Sequence, residues 1–140
     1  MCNRRTNSDR FGRGSERGSA LVEIAIGTLL FLVIIFGIME FGRMIWQYNV
    51  VAFAAKEGAR WAAVRGATSS TPATDTTVHD YVISKALGED VAVSTTWNPT
   101  SKNAGSLVTV QVSETFTPMT NLVPSVSITL RSTSQMIIVR

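Results

Sequence analysis

The feature that most restricts this chain is the stretch RGSALVEIAIGTLLFLVIIFGIMEFGR, residues 17–43, an almost unbroken hydrocarbon run with Glu23 set inside it. No charged residue lies between Ile24 and Met39. Apolar side chains surround the whole helical circumference here, where a soluble core helix would carry them as a stripe. About 20 helical residues cross a hydrocarbon layer of about 30 Å, so residues 19–42 are expected to form one transmembrane helix. A glutamate in such a segment has two readings. It is an interfacial side chain that reaches back to water, or it is held for a partner that neutralises it.

Charge is placed as unevenly as apolarity. The net charge is +3, and residues 1–18 account for all of it, with Arg4, Arg5, Arg10, Arg13 and Arg17 against Asp9 and Glu16. This segment reads as a disordered basic leader, which by the positive-inside rule stays cytoplasmic and sends the C-terminal part outward. The remaining residues sum to zero and hold no basic patch, so nucleic acid is not an expected partner. Trp46 and Tyr48 suit the headgroup region beyond the span. Cys2, the single cysteine, excludes an intrachain disulfide and a thiolate metal cluster.

The helical register continues through QYNVVAFAAKEGARWAAVRG, residues 47–66, with Val51, Ala55, Ala59 and Ala62 on one side and Lys56 and Arg60 on another. Residues 43–66 are therefore an extramembrane continuation of the helix. Ala54, Gly58 and Ala62, spaced by four, make a flat face for a sheet or a second helix. Gly27, Gly37 and Gly42 do the same within the membrane, where small residues let helices approach closely. After the loop that begins at Gly66, a short helix is expected from about Thr77 to Leu87, closed by Gly88. Three segments then alternate with a period of two: VAVSTTW, LVTVQVSETF and VSITLRSTSQMIIV. They predict an antiparallel sheet of about three strands, covered by the alanine-rich half of the long helix. Pro118 and Pro124 mark the connection before the last strand. The fold class is α+β, with residues 67–140 a small domain outside the membrane.

Enzymatic chemistry has no support in the sequence. The one histidine, His79, lacks further His or Cys ligands for a metal, and GxSxG, GxGxxG and GxxxxGK[ST] are all missing. No cofactor is indicated. Glu57 near Lys56 and Arg60, and Glu89 with Asp90, read as solvated surface charges. Ala52-Phe53-Ala54 has the form of a secretory cleavage site but lies too far beyond Met39 and inside a continuing helix.

The junction R-G-S-A-L-V-E resembles the class III signal of type IV pilins and pseudopilins. That resemblance implies cleavage by a prepilin peptidase between Gly18 and Ser19, with Glu23 as the fifth mature residue. It also implies that Glu23 pairs with the new Ser19 ammonium of a neighbouring subunit. Two such charges at about 4 Å and an effective dielectric of about 20 attract by about 4 kcal/mol before desolvation is counted.

A longer match is more specific. Leu21–Ile26, Gly37–Gly42 and the stretch from Ala52 to Arg60 resemble the LVEFAL, GIxEFG and AAREGAR segments of the TadE family of tight-adherence (Flp) pilus systems, with Lys56 in place of an arginine. Gly27-Thr28 stands where that family often has a proline, and Ile24 where the major Flp pilins have tyrosine. The resemblance implies a pilin-like minor pseudopilin of the inner membrane whose partners are other pilins or pseudopilins and the Tad assembly machinery. The competing expectation is an unprocessed single-pass membrane protein with an extracytoplasmic binding domain.

Overall fold

The computed structural model describes residues 12–120 and 127–139, with residues 12–17 given by backbone alone. Cys2, Arg4, Arg5, Arg10, Pro124 and the expected start of the last strand at Val126 lie outside the described residues. The chain forms two compact units, Met1–Met39 and Glu40–Arg140. Helix α1 runs over Gly12–Ala63. It begins earlier than expected, inside the segment read as a disordered leader. Gly12 to Gly18 contains no proline, so nothing breaks the hydrogen-bond ladder once the helix has nucleated.

In the first unit every residue from Gly18 to Met39 is exposed. The stretch Gly18–Ala63 is long and apolar enough to cross a membrane. With Leu21, Ile24, Leu29 and Ile38 each more than half exposed, this surface has no protein core to satisfy it, and hydrocarbon is the solvent that suits it.

The second unit sets the end of α1 and helix α2 (Asp75–Lys85) against a sheet of β1 (Ala92–Asn98), β2 (Leu107–Phe116) and β3 (Ile128–Ile137). The order is β1-β2-β3 and both pairings are antiparallel, with Val110 opposite Thr95 and Ser134. Helix α2 starts two residues before the expected Thr77 because Thr74 is its cap. The Thr77 N–H donates to Thr74 Oγ1 at 3.2 Å, and the Thr74 N–H donates to Thr77 Oγ1 at 2.8 Å. That reciprocal pair satisfies two otherwise orphaned groups at the helix start. The chain leaves α2 through Leu87 and Gly88 with φ of 55° and 90°, and the second of these left-handed positions suits the glycine that stands there.

The core is built from small side chains on α1 and branched ones elsewhere. Val51, Ala54, Ala55, Ala59 and Ala62 pack with Val78 and Val82 of α2, with Val108, Val110 and Val112 of β2, and with Ile138. Alanines permit this proximity, and Gly58 permits more: a Cβ there would lie 2.5 Å from Val82 Cγ2 and 3.3 Å from Val110 Cγ1. Lys56 and Arg60 remain exposed on the other side of the helix. Where the sheet ends, the Val139 N–H donates to the Ala63 carbonyl at 3.0 Å, tying the last residue of α1 to the end of the chain.

Candidate functional site

In the first unit the candidate residues gather on one helical face. At about 100° per residue, Ser19, Glu23, Gly27 and Gly37 fall within an arc of about 80°. Gly18, Ser19, Val22, Glu23 and Ile26 line an open hollow on that surface. A Cβ added at Gly27 or Gly37 would meet nothing within 4 Å, so both present bare backbone. Gly42 is equally open but belongs to the second unit. The result is an apolar face carrying one carboxylate and two low points where a second helix can approach.

Ala54, Gly58 and Ala62 are placed differently. All three are buried within their own chain, under α2 and the sheet. They build the domain core, while the glycines of the first unit stay open.

Two clusters in the second unit were not anticipated from sequence. Glu40 Oε1 accepts the N–H groups of Met119 at 2.8 Å and Thr120 at 2.9 Å, while Oε2 accepts from Arg43 Nη2 at 3.2 Å. Arg43 also donates to the Thr117 carbonyl and lies over the Phe116 ring, 4.6 Å from its centroid. One turn of α1 thereby holds the backbone that leaves β2.

The second cluster surrounds Glu114. Strand β2 turns Val108, Val110, Val112, Glu114 and Phe116 inward, so the alternation that builds the core also buries a carboxyl group. Glu89 was read as a solvated charge, and the structure corrects this. It is half-buried and accepts from Gln47 Nε2 at 3.0 Å. Burial, followed by hydrogen bonding to Glu89 and repulsion from Glu89 and Asp90, pushes the Glu114 carboxyl up to about 7, against a weaker downward pull from Arg43. Gln47, Glu89, Asp90 and Glu114 line one cavity of about 500 Å³.

His79 sits on α2 with Nδ1 3.4 Å from Asp80 Oδ1, and it shares a surface hollow with Asp75, Thr76, Val93 and Thr95. Among the described residues, no group of three or more His, Cys, Asp or Glu side chains is arranged to hold a metal ion.

The segment carrying the exposed apolar face and the Glu40–Arg43 turn is the one that comparison with known families picks out. Residues 18–60 match the model of the TadE-like protein family. This is the family that the sequence resemblance named. The TadE-like segment includes Glu23, Gly27, Gly37, Glu40, Arg43, Gln47 and Gly58, whereas α2 and the sheet, with Glu89 and Glu114, lie outside it. No curated protein and no solved structure matches the chain.

Proposed function

We propose that the chain is a TadE-like minor pseudopilin with a structural role in assembly of a tight-adherence (Flp-type) pilus. The observation that carries this reading is the exposed, apolar intramembrane face on which Ser19, Glu23, Gly27 and Gly37 share one arc. The TadE-like match supports it further, because it starts at Gly18, the residue after which a prepilin peptidase is expected to cut. In this reading the basic leader stays in the cytoplasm until it is removed. The helix remains in the inner membrane, and the domain folded from Glu40 onward lies outside. Glu23 meets the Ser19 ammonium of a neighbouring pilin or pseudopilin, and Gly27 and Gly37 allow the close helix contact that brings the two charges together.

The first test is the N-terminus of the protein recovered from membranes with and without the host's prepilin peptidase. The expected mature chain begins at Ser19 and is lost without the peptidase. A chain that retains its leader in both would replace this reading with the unprocessed single-pass protein carrying an outer binding domain.

A second outcome concerns the pairing itself. Glu23→Ala is expected to leave insertion and cleavage intact while lowering the number of surface fibres at least about tenfold, the equivalent of about 1.4 kcal/mol per assembly step. Quantifying fibres and processed protein in the same cells checks it. Normal fibre numbers would remove the Glu23–Ser19 pairing.

A further inference from the structure

Of the two edges of the sheet, the β1 edge has a helix beside it. Helix α2 packs against β1, with Trp97 Nε1 donating to Asp75 Oδ1 at 2.7 Å. Strand β3 forms the other edge over 10 residues, ITLRSTSQMI. Exposed edges are commonly blunted by prolines, lysines or bulges, because their free N–H and C=O groups are a template for another strand. Strand β3 has no proline and no lysine, pairs with β2 without a break in register, and carries Arg131 as its one charge.

Which backbone groups stay free follows from the end of the strand. The Ile138 N–H donates to the Ser106 carbonyl at 2.7 Å, and the Ile138 carbonyl accepts from the Gly105 N–H at 2.8 Å, so both groups of Ile138 face the β2 side. Alternation along the strand turns the backbone groups of Leu130, Ser132, Ser134 and Met136 toward β2 as well. Those of Thr129, Arg131, Thr133, Gln135 and Ile137 point away from it. The Val139 N–H obeys the same alternation and is taken by the Ala63 carbonyl. Among the described residues, no other backbone group bonds the outward set from Thr129 to Ile137.

We propose that the β3 edge pairs with β3 of a second copy of this chain, antiparallel about a two-fold axis at Thr133. The open stretch selects that register. It is closed at one end by Ala63, which occupies Val139, and it begins at the other end with the strand itself. An axis at Thr133 sets Thr129 opposite Ile137 of the second copy and uses the whole stretch. The side chains suit it. Arg131 faces Gln135, so no like charges meet, and Leu130, which is buried, faces the partly buried Met136, extending one core into the other. An axis at Arg131 would oppose two guanidinium groups. An axis at Ser132 or Ser134 would set Leu130 or Met136 against a serine. Every contact in the Thr133 register is supplied by this strand, which selects a second copy over a foreign strand. The pairing involves the unit Glu40–Arg140 and depends neither on cleavage at Gly18 nor on Glu23.

The test uses the full chain in membranes with Cys2→Ser, which removes the single native thiol. Thr133→Cys is expected to give a disulfide-linked dimer under a mild oxidant. Facing residues of a hydrogen-bonded pair stand about 5.5 Å apart, within the range that a disulfide bridges. Arg131→Cys alone should not link, because its counterpart is displaced by about 14 Å along the strand. Thr129→Cys and Ile137→Cys should each fail alone and link when the two are co-expressed. Thr133→Lys, added to both members of that pair, sets two ammonium groups face to face and should lower the mixed product at least about threefold. An unchanged tryptophan-fluorescence melting curve reports that the lysine variant is folded. The Thr133→Cys dimer is expected to persist in Glu23→Ala, which separates this contact from helix pairing. The proposal is overturned by absence of the Thr133→Cys dimer, by its loss in Glu23→Ala, or by linking of Thr133→Cys to a foreign protein instead. Equal linking of Arg131→Cys, failure of the mixed pair, or a mixed product indifferent to Thr133→Lys would overturn it as well.

Discussion

Gly58→Val is expected to lower the melting temperature of the unit Glu40–Arg140 by roughly 10–25 °C, the consequence of losing about 3 kcal/mol in a domain of this size. A Cβ at residue 58 would sit 2.5 Å from Val82 Cγ2 and 3.3 Å from Val110 Cγ1, and valine adds two further carbons at the same point. Neither neighbour can move aside easily. Val82 and Val110 are fully buried, and a β-branched side chain has little freedom at χ1. Overpacking of this kind typically costs about 1–3 kcal/mol for smaller insertions.

Gly58→Ala separates sterics from helix propensity. Alanine gains about 1 kcal/mol over glycine in a helix interior, so a net destabilisation in Gly58→Ala must come from the contact with Val82. Val82→Ala in the same chain should then restore most of the loss. The measurement is thermal unfolding of the full chain in detergent, followed by fluorescence of Trp61 and Trp97, both partly buried against the core. A melting temperature unchanged in Gly58→Val would mean that α1 and α2 do not pack as closely as the structure shows.

Most of this architecture was legible because it rests on periodicity. The alternating segments locate β1, β2 and β3 within a few residues, and the alanine and glycine spacing marks the face of α1 that is buried. The boundaries that shifted were decided by single hydrogen bonds. Thr74 caps α2, and only the reciprocal bonds with Thr77 reveal that the helix begins at Asp75. The Glu40 cluster was not legible because its partners, Met119 and Thr120, are some eighty positions away in the chain and offer only backbone groups.

Glu114 is a different case. Its position was visible, since alternation from Val108 through Val112 to Phe116 puts residue 114 on the apolar face. The error was to treat Glu89 and Asp90 as an isolated charged pair and to leave out the inward-facing acid opposite them. Charge patterning along a chain assumes that neighbours in sequence share a surface. Here the relevant neighbours came from three separate elements.

Glu114→Gln is expected to raise stability above neutral pH by as much as about 3 kcal/mol, or roughly 10–20 °C in melting temperature, and to leave it nearly unchanged at pH 4. The folded domain holds the Glu114 proton up to about 7, against an ordinary value of 4.5. Between those values the folded state binds more protons than the unfolded state, so this group's contribution to stability falls as pH rises. It is fully favourable below the unfolded value and is lost as pH passes through the folded one. Glutamine has the same shape, never ionises and can donate to Glu89 as the protonated acid does.

Other titrating groups contribute to both proteins, so the difference between variant and parent isolates Glu114. A difference of the same size at pH 4 and pH 8 would show that burial of the charge is not its origin.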